Sequence, residues 1–172
     1  MVQYRRAQCT GGTFALTLTL NDRSSSLLVE HFDLFKSSYL WVKQNRPFET
    51  VAFVLLPDHI HLIWKLPLDD ADYSTRVRLI KRLFTREIMK VGVLLQKRAN
   101  GERSCWQRRF WEHQVRDERD LQCQVDYIHY NPVKHGFVKH VKDWRYSSFH
   151  RYVREGKLPW DWCGGFPGQM EP

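Results

Sequence analysis

The sequence has no apolar run approaching the length of a membrane span, and its opening residues, Met1-Val2-Gln3-Tyr4-Arg5-Arg6, lack the apolar centre of a secretory signal. The expectation is a soluble, cytoplasmic protein with no membrane partner. Cysteine is scarce: Cys9, Cys105, Cys123 and Cys163 lie far apart, with no Cys-x-x-Cys pair. That spacing argues against a zinc knuckle or a redox pair and leaves reduced, structural thiols. Acidic residues are also short, 19 against 27 Lys and Arg, so the chain carries a formal charge of +8 and favours polyanionic partners, nucleic acid first among them. There is no internal repeat. At 172 residues, 42% of them hydrophobic and 14% aromatic, the chain can bury one substantial core but hardly two.

What the sequence does contain is a pair of histidines one residue apart in an apolar run, Leu56-Pro57-Asp58-His59-Ile60-His61-Leu62-Ile63-Trp64. On a strand the period of two sends His59 and His61 to the same face, close enough to share an ion. His-x-His also occurs in ordinary strands, where two half-buried imidazoles simply bond to neighbours. The spacing alone leaves both readings open.

Along the chain, Gly11-Gly12 is either a simple turn or a place where backbone approaches a phosphate. Residues 13–20 alternate as a half-buried strand, with Phe14, Leu16, Leu18 and Leu20 on one face. Residues 28–42 carry Leu28, Phe32, Phe35, Tyr39 and Val42 at helical spacing, and Arg46-Pro47 closes that helix. Residues 51–56 and 59–66 form two strands joined at Pro57-Asp58 as a hairpin. Ser74 is placed to cap a second helix reaching about Val91, with Arg78, Arg82, Arg86 and Lys90 as a basic ridge that either meets solvent or contacts DNA.

The segment Trp106-Gln107-Arg108-Arg109-Phe110-Trp111-Glu112-His113 interleaves rings and guanidinium groups, as a surface does that stacks on bases while holding phosphates. Core packing of the same rings is the alternative. A last strand over residues 110–116 follows from it. Asp117 then caps a third helix running to Asn131, where Pro132 turns the chain away, and Tyr127 and Asn131 share one of its faces. Residues 143–172 read as an aromatic-rich tail, packed on or extending from a domain of residues 1–142. The order βαββαβ plus a helix predicts an α+β, ferredoxin-like antiparallel sheet with the His-x-His strand central and the third helix free to lie over its histidines.

Taken together, Tyr4-Arg5-Arg6 with Gly11-Gly12-Thr13, Arg46-Pro47-Phe48, the Pro57-Asp58-His59-Ile60-His61 run, the Trp106 to His113 segment, Asp126-Tyr127-Ile128-His129-Tyr130-Asn131-Pro132 and Asp143-Trp144 with Tyr146-Ser147-Ser148 resemble a known family. It is the HUH single-strand endonucleases of the IS200-like Y1 transposases, and more closely the REP-associated tyrosine transposases. The resemblance implies a nucleoid-associated DNA nickase and strand transferase that acts on single-stranded or hairpin DNA of repetitive extragenic palindromes. Its nucleophile would be Tyr127, leaving a 5'-phosphotyrosine and a free 3'-hydroxyl. The metal would be Mg²⁺ or Mn²⁺, held by His59, His61 and Asn131, where relatives often carry Gln. DNA contacts would fall to Arg5, Arg6, Gly11, Gly12, Arg78, Arg82, Arg86, Trp106, Arg108, Arg109 and His113. Tyr130 is the rival nucleophile, but it is turned about 300° from Tyr127 around the helix. Glu112 and His113 could also face the metal, or simply form hydrogen bonds. A monomer and a homodimer both remain open. Two other functions stay open as well: a silent hairpin binder and a metal phosphodiesterase that uses water.

Overall fold

The computed structural model describes residues 9–96, 101 and 103–164. Four strands, β1 (Thr13–Thr19), β2 (Glu49–Leu55), β3 (His59–Lys65) and β4 (Trp111–Gln114), form one antiparallel sheet in the order β2-β3-β1-β4. This is the expected ferredoxin-like arrangement, with the His-x-His strand in an interior position. β2 and β3 are joined by a tight turn at Pro57-Asp58, closed by the Leu56 N–H donating to the His59 carbonyl at 2.8 Å.

The two faces of the sheet bury different partners. Phe14, Leu16, Leu18, Ile60, Leu62 and Trp64 turn to one side and form the larger core with Phe35 and Val42 of α2 (Phe32–Asn45) and Val77, Ile80, Phe84 and Ile88 of α3 (Tyr73–Lys90). The predicted first helix is broken in two, because a one-turn α1 (Leu27–Glu30) ends at His31 before α2 begins. The apolar spacing continues across the break, so the sequence pattern hides it. Asp72, not Ser74, caps α3: its carboxylate accepts the Thr75 N–H at 2.9 Å. Two cap-competent side chains stand two residues apart, and only the backbone decides between them.

Ala15, Ala52, Val54 and Ile63 face the other way and pack against Val125 and Ile128 of α4 (Glu118–Lys134), with Trp144 and Tyr152 at the margin. Asp117 caps this helix through the Asp120 N–H, as expected. The helix does not stop at Asn131, however. Pro132 lies within its last turn, where it removes one hydrogen bond, and the helix ends two residues later at Lys134. Gly136, at φ 72°, permits the stop: its N–H donates to Val133 and that of Phe137 to Pro132, satisfying the final carbonyls.

The segment after α4 returns to the outer edge of β2. Ser147 bridges Val54, the Leu55 N–H donates to Tyr146, and the Trp144 indole donates to the Leu55 carbonyl at 2.9 Å. Helix α5 (Phe149–Arg154) continues the cover, with the Tyr152 hydroxyl and the Arg151 guanidinium both donating to the Val51 carbonyl. One exposed sheet edge is thereby occupied by the chain's own later residues. None of the described helices is long and apolar enough to cross a membrane.

Candidate active site

His59, His61 and Ile63 alternate with Ile60, Leu62 and Trp64 along β3, so both imidazoles face α4. Their ring centroids lie 4.9 Å apart. The Tyr127 ring approaches the His61 ring at 5.4 Å, edge to face, and the His135 ring approaches His59 at 5.3 Å. Tyr127, Asn131 and His135 are spaced i, i+4, i+8 on one helical face. With the two ends of that series set against the two histidines, Asn131 between them is turned toward the pair.

Each imidazole is anchored through Nδ1. His59 bonds Asp58 Oδ1 at 2.8 Å, while Arg23 holds the other carboxylate oxygen at 2.7 Å. His61 bonds the Thr17 hydroxyl at 2.9 Å, from the adjacent strand. Burial is the largest influence on both rings: it holds His59 below the usual histidine value of 6.5, against the pull of Asp58, and His61 well below it. Both are therefore neutral at pH 7 and present lone pairs. Thr17, Asp58, Arg23 and His135 escape a reading of the sequence because three of them reach the site from other elements and Asp58 reads simply as a turn residue.

The donor set fits a divalent cation. His61 Nε2 is buried without a hydrogen-bond partner, and so are both amide atoms of Asn131, which is fully buried. Buried polar atoms without partners are costly unless something fills the need, and of these the imidazole nitrogen and the amide oxygen carry the lone pairs a cation would take. Among the described residues no cluster of three or more His, Cys, Asp or Glu side chains forms. The Asn131 amide oxygen is a potential donor of another kind beside the histidines. Lys134 adds positive charge, its Nζ standing 5.0 Å from the centre of the Tyr127 ring.

Other expected residues fall elsewhere. Glu112 lies opposite Leu16, on the side of α2 and α3, so it does not face the histidines. His113 does share their face, but its Nε2 is engaged by the Asp120 carboxylate at 2.8 Å. Trp106 is buried in the larger core against Phe35 and Phe84. Extracting such a ring costs about 3–5 kcal/mol, more than the roughly 1–3 kcal/mol that a stacked base supplies, so its expected role as a stacking surface is corrected. Gly11 and Gly12 are turn glycines. Their N–H groups donate to Asp70 and Cys9, and a Cβ on Gly12 would meet the Phe14 ring at 2.9 Å. Neither amide is free to cradle a phosphate.

Arg78 and Arg82 of α3 do come together with Arg108, and Lys81 and Arg103 join them around a groove of about 530 Å³. It lies on the α3 side, away from the histidines. Arg86 pairs with Glu87 at 2.9 Å, and Arg109 is exposed. Arg5 and Arg6 lie outside the described residues.

The family model described as IS200-like transposase matches residues 13–131. A relative from Haemophilus influenzae is 47% identical over 166 residues, covering 95% of this chain and 94% of its own. The REP-associated tyrosine transposase of Escherichia coli K12 is 45% identical over 164 residues, covering 95% and 92%. Among solved structures, a REP-associated tyrosine transposase bound to a REP hairpin superposes with a TM-score of 0.84 at 42% identity, over 100% of this chain and 99% of that one.

Proposed function

The chain belongs to the IS200-like transposase family, and from that premise we propose that it cuts and rejoins single-stranded or hairpin DNA with the Tyr127 hydroxyl as nucleophile. The observation that carries this reading is the edge-to-face approach of Tyr127 to His61, which joins the helix and the histidine strand in one site. Attack by the Tyr127 oxygen on a backbone phosphorus forms an O–P bond and breaks the bond to the 3'-oxygen. The phenol proton is lost and the departing oxygen takes one up, leaving a 5'-phosphotyrosine and a 3'-hydroxyl. Because the phosphodiester energy is kept in the new bond, strand joining can reverse the step without ATP.

The chain's own groups are suited to these tasks. The Lys134 ammonium over the phenol ring favours the charge that develops there and on the phosphate. Asp58 and Thr17 hold the imidazoles in place, and burial keeps them unprotonated. His59, His61 and Asn131 would hold Mg²⁺ or Mn²⁺. Such an ion supplies Lewis-acid polarisation of the phosphate when bound.

For the substrate, we take REP-type hairpins, since a solved relative is bound to one. The groove lined by Arg78, Arg82 and Arg108, with exposed Arg86 and Arg109 nearby, would contact its phosphates. Cutting of an end-labelled hairpin oligonucleotide tests the proposal. Wild-type protein with Mn²⁺ is expected to cut it and Tyr127→Phe to bind but not cut; full cutting by Tyr127→Phe contradicts the proposal.

A further inference from the structure

The register of the sheet sets four side chains in one row on the face of the histidines: Val54 on β2, His61 on β3, Thr17 on β1 and Trp111 on the edge strand β4. Strands are about 4.8 Å apart, so Trp111 stands roughly two strand spacings from His61, at the open margin of the site. Its side chain is 41% exposed, unlike Trp106 five residues earlier, which is 1% exposed.

The ring is not loose. His113, two residues along the same face, is stacked with Trp111 at 13° between planes and 5.9 Å between centroids. The imidazole is in turn fixed by Asp120 at the start of α4. An exposed indole whose orientation is set by an anchored neighbour has little conformational freedom to lose on binding. Arg109, two residues before it, and Arg116, two residues beyond the strand, are exposed, so cations lie along the same chain segment as this π-face. That combination fits an unpaired nucleotide, base on ring and phosphates on guanidinium groups.

We propose that Trp111 is a stacking subsite for one unpaired base beside the phosphate to be cut, with His113 as its positioning residue. The inference rests on the reading of the site as a single-strand nickase. Its occupant is continuous with that site through Thr17, which bonds His61 on one side and pairs with Trp111 on the other.

The test is a coupling measurement in the Tyr127→Phe background and EDTA, so that binding alone is read. Hairpin oligonucleotides with single-stranded flanks are compared with versions in which one flanking nucleotide at a time is abasic. Trp111→Ala is expected to weaken binding of the intact oligonucleotide by about 5- to 150-fold, the worth of one base–aromatic stack. On the oligonucleotide lacking the stacked base it should have no further effect. Trp111→Phe should recover most of the loss, and His113→Ala should fall between.

Equal loss on every abasic oligonucleotide, or no loss on any, overturns the inference. Self-association abolished by Trp111→Ala, seen by sedimentation, with binding unchanged, overturns it in favour of a second copy of this chain. The adduct formed by unmutated protein is scored separately. Coupling without an adduct sustains the subsite while removing the nickase reading; an adduct without coupling removes the subsite alone.

Discussion

The Nδ1 atom of His59 lies 2.8 Å from Oδ1 of Asp58, its immediate predecessor in the chain. A carboxylate at neutral pH only accepts, so the imidazole donates from Nδ1 and keeps its lone pair on Nε2. Asp58 can do this because it sits in the tight turn leading into β3 and is itself held by Arg23. Replacing Asp58 by Ala is expected to lower Mn²⁺ affinity about 10- to 100-fold, with hairpin binding in EDTA unchanged. Calorimetric titration of Mn²⁺ into the two proteins checks this, and equal affinities would count against the orienting role.

The same two histidines set a pH expectation. Burial holds the protonation of His59 and His61 below the usual 6.5, so protons compete for the site only at lower pH. Mn²⁺ affinity should stay level as pH falls through 6.5 and drop below it. His59→Ala and His61→Ala should each abolish metal-dependent cutting. Undiminished cutting in excess EDTA would remove the metal from the mechanism.

Much of this site was legible in the sequence because its parts are local. Alternation placed His59 and His61 on one face, and a four-residue step placed Tyr127 and Asn131 on another. What joined the two faces was the family resemblance and then the packing of α4 on β2 and β3. The orienting Thr17 could not be read, since it depends on the β1–β3 register. The same limit explains the two tryptophans of the Trp106 to His113 segment. Both look able to stack on DNA, but Trp106 precedes the strand and turns into the core, whereas Trp111 begins it and remains exposed. The glycine at 11 was ambiguous for a related reason, its close neighbours Leu68 and Asp70 lying more than fifty residues away.

His129, fully buried on α4, links pH to stability. Burial lowers its pKa to about 3. In the unfolded chain it titrates near 6.5, so between those values the unfolded state binds more protons. Stability should therefore be fully present above about pH 6.5 and decline as pH falls toward 3. Urea unfolding at stepped pH measures the decline, and His129→Gln should flatten it within that window.

Ser148 ties three elements together. Its hydroxyl meets His129 Nε2 at 2.9 Å, accepts the Phe53 N–H at 2.9 Å and donates to the Phe53 carbonyl at 3.1 Å. Ser148→Ala leaves buried polar groups without partners at the covered edge of β2, a loss of about 1–3 kcal/mol. Chemical denaturation with both chains at one pH gives the value. A change below a few tenths of a kcal/mol would mean that the segment after α4 contributes little to holding that edge.

The central claim is that Tyr127 attacks DNA from a site shared with the histidines of β3. Incubating the protein with hairpin DNA and Mn²⁺, digesting the covalent species and sequencing the nucleotide-bearing peptide tests it most directly. The nucleotide should be found on Tyr127, through a 5'-phosphate. Attachment at Tyr130, or cleavage by wild-type protein with no covalent species at any time, would contradict it.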